Sequence, residues 1–381
     1  MIIIKEGNNN YCLLKIMAMT GEFPTKAVKL LGDYNRWRRR IMEMTKMQTY
    51  HNSETGEKYK CVALYITGEK SDKSIRLTKN AMRLLEWIGL REIYERDFPK
   101  FYGNERAEKT HRNAEAMLMF FLNDVKVQKT GNIDKNSFPV FYAAKFEGKA
   151  MKNCNNTITL PDKTKKTVFT RVIGIFMNET NCMAVYNTRS KNMKWSMSAE
   201  EKSRAVYDEI ARKHCKNNAF DSALIFGSDY ATCFNTIMNP TSGKIKNHRS
   251  DFLQIYRKIY TVPLDNFGKK LMKIMMMPDF QSKLEAILMP EKNRRKGYGL
   301  FEYDGIMNGQ YVFSFLDSNV ARLHSFRLAM EIYFKKNPEK YGIPKIVCYY
   351  EQEDFVRKLF AGYNLEITRI NIDTVLKKLG A

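Results

Sequence analysis

Apolar positions recur with a helical period in three consecutive stretches near the start of the chain. The stretches cover residues 11–20, 24–31 and 34–46. In the third, Trp37, Ile41 and Met44 are spaced i, i+4 and i+7, which places them on one helical face. Asp33 is the expected N-cap of this helix. The pattern therefore predicts three helices, the last of them strongly amphipathic.

The period changes after the third helix. Residues 48–52 and 60–67 alternate like strands on either side of a turn at 53–56, and residues 75–77 are short and extended. Thr78 then opens a helix that runs to about residue 89. Three helices, a β-hairpin wing and a closing helix are the order of a winged helix-turn-helix. We predict such a domain over residues 1–103.

For the rest of the chain, residues 104–381, we predict a larger mixed α/β domain. A division of this domain near residue 240 is the alternative. Helices are expected at 105–125 and 198–214, and strands at 138–146, 168–177, 181–188 and 221–226. Their α-β-β-β-α-β order is that of a restriction-endonuclease-like core. Further strands are expected at 252–262, 300–303 and 311–316. The predicted fold class is α+β or α/β.

Charge narrows the choice of partner. Lysine and arginine number 64 against 41 acidic residues, a formal net charge of +23. Such an excess favours a polyanion, with nucleic acid first and an anionic membrane second, although a lysine-rich proteome is another explanation. The seven cysteines form no CxxC pair, and no signal peptide or long apolar segment is present. We expect a cytoplasmic protein with reduced thiols and no membrane partner.

The third helix supplies the candidate DNA contacts. Opposite its apolar face lie Asn35, Arg39 and Glu43, flanked by other arginines. An arginine fork fits guanine O6 and N7, and an asparagine amide fits adenine. Lysines beside the hairpin turn suit the phosphate backbone. The predicted DNA-binding residues are Asn35, Arg36, Arg38, Arg39, Arg40, Glu43, Lys58 and Lys60. A merely solvated basic face is the alternative for the arginine cluster.

Catalytic patterns are weaker. A restriction-endonuclease-like nuclease needs an acidic residue and an acid-x-Lys pair on its central strands to hold Mg²⁺. Residues 181–188 carry no acid, and Glu147-Gly148-Lys149 follows the first strand in a predicted turn. His324 and Arg327 have the HxxR spacing of tyrosine recombinases, with Tyr349, Tyr350 and Tyr363 downstream. A helix with a polar face explains that spacing equally.

A metal or nucleotide site is not expected either. Glu302, Asp304 and Asp317 could gather a metal, but exposed turn acids are the simpler explanation. There is no Walker loop and no GxGxxG motif. The aromatic side chains of the second domain are expected in the core, namely Phe141, Tyr142, Tyr186 and Trp195. We therefore predict no catalytic residue, no metal and no cofactor, and keep a DNA nuclease or nicking enzyme as the alternative.

Several segments resemble the replication-relaxation family of bacterial plasmids and integrative elements. In the first domain they are LLKI at 13–16, TGEFP at 20–24, the arginine helix and IRLT at 75–78. In the second they are HRNAE at 111–115, FPVFY at 138–142, VYNT at 185–188 and KW at 194–195. The likeness covers roughly residues 10–235. It implies a winged helix protein of a mobile element that acts in replication, relaxation or transfer, or in their regulation.

The predicted function is therefore binding of double-stranded DNA without catalysis. Winged helices often dimerise, so a homodimer on a two-fold DNA site is one expectation, and replication or transfer proteins are the expected further partners. Winged helices also mediate protein contacts, which leaves a protein-interaction module as a third alternative.

Overall fold

In the computed structural model, the chain has mixed α and β structure and divides into two compact units, Met1–Val127 and Gln128–Ala381. The structure describes residues 1–69, 73–98, 107–128, 138–143, 171–193, 197–214, 220–238, 251–295 and 299–380. The sequence interpretation ended the first domain at residue 103. Its optional division near residue 240 falls within 239–250, outside the described ranges.

The first unit combines helices with short strands. Its helices are α1 (Asn9–Thr20), α2 (Tyr34–Met44), α3 (Met82–Trp87), α4 (Arg91–Asp97) and α5 (Ala107–Phe121), with 3-10 helices at Thr25–Leu31 and Lys79–Ala81. Its strands are β1 (Ile2–Ile4), β2 (Glu22–Pro24), β3 (Gln48–Asn52), β4 (Lys58–Cys61), β5 (Leu64–Thr67) and β6 (Ser74–Leu77), while β7 (Lys126–Gln128) spans the unit boundary. The first and third predicted helices are thereby confirmed. The second, predicted at 24–31, is a 3-10 helix over Thr25–Leu31 that directly follows strand β2.

The strands of this unit form two three-stranded sheets. In one, β3 pairs in parallel with β1 and antiparallel with β4; in the other, β6 is antiparallel to both β2 and β5. The single strand predicted at 60–67 is wrong, because the chain leaves the first sheet at Val62 and Ala63. Ala63 N–H donates to Met44 O (3.1 Å), and Ala63 O accepts from Thr78 N–H (3.0 Å). These bonds separate β4 from β5.

A buried polar network joins α5 to the second sheet. Arg76 Nη2 donates to Glu22 Oε2 at 2.7 Å, and His111 Nε2 lies 2.5 Å from Ser74 Oγ and 3.3 Å from Glu22 Oε1. Burial by itself raises the pKa of Glu22. Hydrogen bonds from His111, Ser74 and Arg76 outweigh that effect and lower the pKa to about 2.

This network predicts a stability loss for Glu22→Gln of about 2 kcal/mol at pH 7, because Arg76 keeps its charge without a carboxylate. The pKa of Glu22 falls from 4.5 to about 2 on folding. The contribution of its carboxylate to the free energy of unfolding is therefore fully present above pH 4.5 and is lost as the pH drops toward 2. Denaturation followed by tryptophan fluorescence measures it, since Trp37 and Trp87 lie in this unit.

Glu95→Gln is the matched control for this prediction. Glu95 forms an exposed ion pair with Arg91, and such pairs contribute only about 0–1 kcal/mol. A difference between Glu22→Gln and the parent that stays constant from pH 7 to about pH 3 would contradict the role assigned to the ionised carboxylate.

The second unit alternates strands and helices. Its helices are α6 (Met197–His214), α7 (Tyr230–Met238), α8 (Asp251–Ile255), α9 (Asn266–Met275), α10 (Phe280–Leu288), α11 (Val320–Ala329), α12 (Pro338–Tyr341), α13 (Glu353–Leu359) and α14 (Ile372–Leu379). Its strands are β8 (Val140–Ala143), β9 (Gly174–Met177), β10 (Cys182–Asn187), β11 (Ser222–Gly227), β12 (Lys258–Pro263), β13 (Gly305–Met307), β14 (Gln310–Ser314), β15 (Lys345–Tyr349) and β16 (Glu366–Ile370). A π-helical turn, Met330–Phe334, extends α11.

Two sheets organise this unit. The first has the order β8–β9–β10–β11–β12, with β9 antiparallel to its neighbours and β10, β11 and β12 parallel to each other. Every residue of β10 and β11 is buried, as is typical of central strands covered on both faces. In the second sheet, β13 is antiparallel to β14, and β14, β15 and β16 are parallel.

One predicted strand of this unit is only half right, and another is wrong. The segment predicted extended at 252–262 ends as strand β12, which confirms its second half, but it begins as helix α8, where Phe252 and Tyr256, about one helical turn apart, both pack on Tyr186. The predicted hairpin partner at 300–303 is replaced by β13, which pairs with β14 across a turn with positive φ at Asn308 and Gly309. The aromatic residues of 300–303 instead pack on Tyr311.

Candidate nucleic-acid interface

A polar cap fixes the start of α2. Gly32 has a φ of 109°, which side-chain-bearing residues rarely adopt, and it ends the preceding 3-10 helix. The Asp33 carboxylate accepts a hydrogen bond from the Arg36 backbone N–H at 3.1 Å. The predicted N-cap is thereby confirmed. It satisfies one of the free N–H groups at the helix start and sets where the helical period begins.

Three apolar side chains fix the rotation of α2 about its axis. Trp37, Ile41 and Met44 are buried, with 7%, 3% and 0% of their surface exposed. The Trp37 indole Nε1 also donates to the carbonyl of Leu31 at 2.9 Å, which ties the helix to the 3-10 helix before it. Since a helix turns once per 3.6 residues, the residues half a turn away from these three point away from the core.

Three of the four arginines of α2 lie on the exposed side of the helix. Asn35, Arg36, Arg38 and Arg39 are exposed. Arg36 donates from Nη2 and Nε to the Asn9 side-chain oxygen at 3.1 and 3.2 Å when the Asn9 amide is turned toward it. Within the described ranges, no carboxylate forms a salt bridge with the guanidinium of Arg36, Arg38 or Arg39. This surface is therefore basic, and none of these three guanidinium groups is neutralised by a described carboxylate.

Other arginines of the first unit behave differently. Each of five is within 3.2 Å of a carboxylate oxygen, and the five are Arg76, Arg83, Arg91, Arg96 and Arg112. On α2, Arg40 joins this paired class, because its Nη1 donates to Glu43 Oε2 at 2.8 Å and both side chains are half-buried. Arg40 and Glu43, both predicted DNA contacts, therefore form an ion pair with each other at the side of the helix.

Two further side chains complete the outward surface of α2. Met42 is 44% exposed, and Lys46, just after the helix, is also exposed. With Asn35 and Arg39 they are spaced i, i+4, i+7 and i+11, so the four form one line opposite the buried face, named here the recognition stripe. Sequence reasoning missed Met42 because it is apolar, and it missed Lys46, the last residue of the predicted helix, because the candidate contacts on the helix stopped at Glu43. Counting helical angles from Trp37 finds both.

Lys58 and Lys60 lie on the outer face of the β3–β4 hairpin. They are exposed, alternate with half-buried Tyr59, and face His51 and Thr49 across the strand pair. The hairpin end is held by Glu57, whose carboxylate accepts hydrogen bonds from Trp87 Nε1 at 2.7 Å and from Arg83. The two lysines therefore sit on a fixed support and present two ammonium groups on one face.

The residues with tyrosine-recombinase spacing, His324, Arg327 and Tyr363, lie in the second unit. On α11, burial lowers the pKa of His324, and the nearby charge of Arg327 lowers it further. The Tyr363 hydroxyl donates to Glu331 Oε2 at 2.8 Å, and this bond raises the pKa of Tyr363. A tyrosine nucleophile has to lose its proton, and the raised pKa of Tyr363 makes that loss harder at neutral pH. Glu147 and Lys149, and also Trp195, lie outside the described residues.

The acidic residues around β13 and β14 are organised by one arginine. The Arg322 guanidinium donates to Glu302 Oε1 (3.0 Å), Asp304 Oδ1 (2.6 Å) and Asp317 Oδ2 (3.3 Å). The interpretation as exposed turn acids is wrong for Asp304 and Asp317, which are buried. Among the described residues, no group of three or more His, Cys, Asp or Glu side chains is placed to hold a metal ion.

The described core agrees with two further expectations. The aromatic side chains Phe141, Tyr142 and Tyr186 are buried, and five described cysteines are free thiols, four of them buried. None of the helices in the described part of the chain combines the length and the apolar run needed to cross a bilayer. Comparison of the chain with protein-family models, curated proteins and solved structures finds no match.

Proposed function

We propose that this protein binds double-stranded DNA by placing α2 in the major groove. The observation that carries the proposal is the exposure of Arg36, Arg38 and Arg39, without acidic partners, on a helix whose opposite face is buried. A recognition helix needs an apolar back and a front that reaches phosphates and base edges. A net charge of +23 adds a long-range attraction to the polyanion.

The order of elements supports a winged helix-turn-helix as the fold that presents α2. Helix α1, strand β2, a 3-10 helix and α2 are followed by β5 and β6, and the sheet has the order β2–β6–β5. In this arrangement β5 and β6 are the two strands of the wing. The β3–β4 hairpin is then an insertion after the recognition helix, which offers Lys58 and Lys60 as additional phosphate contacts.

The resemblance to the replication-relaxation family supports a role on a mobile genetic element. In that interpretation the first unit locates the DNA, and the protein serves replication, relaxation or transfer, or regulates them. A homodimer on a two-fold DNA site and contacts with replication or transfer proteins belong to the same proposal. Band-shift stoichiometry on one duplex distinguishes one bound copy from two.

The test of DNA binding is fluorescence anisotropy of a labelled duplex of about 30 base pairs at increasing salt concentration. Each neutralised phosphate contributes about −0.9 to the slope of log K against log salt, and we expect a slope of about −4 or steeper. A protein-interaction module predicts negligible binding with almost no salt dependence. Such a result would contradict the proposal that the protein binds DNA.

A DNA nuclease is the second candidate, and one observation favours it. The order β8 to β12, with only β9 antiparallel, agrees with a restriction-endonuclease-like sheet. Against it, strand β10 carries no acidic residue among its six. Incubation with supercoiled plasmid and Mg²⁺ or Mn²⁺ decides between the candidates, because relaxed or linear product forms only if the chain cleaves DNA.

A further inference from the structure

Met42 is the one apolar member of the recognition stripe. It is 44% exposed, with Arg39 three residues before it and Lys46 four residues after it. Single exposed apolar side chains are common on protein surfaces. Met42 differs in its position, because it lies on the outward face of α2, in the last turn of the helix and about one turn after Arg39.

The chemistry of the major groove supplies a partner for such a side chain. Thymine presents a C5-methyl group there, and 5-methylcytosine presents the same group, whereas unmodified cytosine and the purines present none. The thioether of methionine is flexible and polarisable, so it adapts to a small apolar target. Arginine in the same groove reads guanine through O6 and N7.

We propose that Met42 contacts the C5-methyl group of a pyrimidine next to a guanine read by Arg39. The proposal rests on the DNA-binding function proposed above and adds sequence preference to it. Residues three apart rise about 4.5 Å along a helix axis, which is close to the spacing of about 3.4 Å between base pairs. The methylated pyrimidine is therefore expected one or two base pairs from the guanine.

The experiment begins with selection of bound duplexes from a random pool and uses the recovered consensus as the probe. Each thymine of that duplex is replaced singly by deoxyuridine, which removes only the C5-methyl group. One replacement is expected to weaken binding about three- to fivefold, the loss that corresponds to one buried methyl group. Met42→Ala should bind the thymine and deoxyuridine duplexes equally.

Met47→Ala is the matched control. Met47 is 57% exposed but lies outside the recognition stripe, so this variant should keep the preference for thymine. A second selection, from a pool made with 5-methylcytosine in place of cytosine, separates the two sources of the methyl group. If the methyl alone is read, the same position accepts either pyrimidine; if thymine alone is recovered, thymine is the source.

Several results would overturn the inference while leaving DNA binding intact. They are a bound duplex with no consensus, a consensus in which no thymine can be distinguished from deoxyuridine, and a Met42→Ala variant that keeps the distinction. Failure of the proposed function gives another outcome, because no duplex is then bound in any arm. Met42 is exposed, so its truncation should leave the denaturation midpoint unchanged, which checks that the variant is folded.

Discussion

Replacing Arg36 and Arg39 together by alanine is expected to weaken duplex binding at least about tenfold at moderate salt, since each base or phosphate contact contributes about 1–3 kcal/mol. Arg39 lies in the recognition stripe, and Arg36 is exposed on the same helix. Neither forms a salt bridge with a described carboxylate, so the substitutions leave no buried charge behind. Anisotropy titration measures the change.

The matched control removes the same two charges elsewhere. Arg91→Ala combined with Arg357→Ala deletes two exposed arginines that are already paired with glutamates. If binding depends on net charge alone, both double variants will weaken it equally and by little. Equal affinities for the α2 double variant and the parent would contradict the assignment of α2 as the DNA-binding helix.

Arg322→Met is expected to have the largest effect on stability, a loss of about 3–5 kcal/mol at pH 7, because it leaves buried carboxylates without their counter-charge. Burial raises the pKa of Asp304, and the Arg322 guanidinium opposes this rise. Without the arginine the pKa rises further. The folded variant then binds a proton that the unfolded chain releases, so its deficit should shrink as the pH falls.

Denaturant titrations at pH 7 and pH 5 test this expectation. Arg327→Met serves as the comparison, because Arg327 lies on the same helix α11 but is not part of the cluster around Asp304 and Asp317. Arg327→Met should lower the free energy of unfolding by less than about 1 kcal/mol. If Arg322→Met lowers the free energy of unfolding by the same amount at both pH values, the loss comes from packing and not from unpaired carboxylates.

Local signals in the sequence were sufficient for α2. Trp37, Ile41 and Met44 repeat with the helical period, and Asp33 supplies a cap that acts within one turn. The strand break before β5 has no such signal, because Val62 favours a strand and Ala63 disfavours one only weakly. It arises from hydrogen bonds of Ala63 to Met44 and Thr78, which only the folded chain brings near.

Long-range contacts also explain the other differences. Phe252 and Tyr256 favour a strand by composition, yet packing on Tyr186 favours the helix. The burial of Asp304 depends on Arg322, which is distant in sequence and close only in the fold. The ion pair of Arg40 and Glu43 could have been predicted from the sequence, since residues three apart on a helix are neighbours.

The hydrogen bonds between His111 and the β-sheet of the first unit bear on the design of shorter proteins. A fragment ending before α5 would lose the imidazole beside Glu22 and uncover the face of β2 on which that helix packs. A fragment that keeps residues through α5 retains both. Efforts to crystallise the arginine helix with an oligonucleotide should therefore place the new carboxyl terminus after Phe121, not in the segment that precedes the helix.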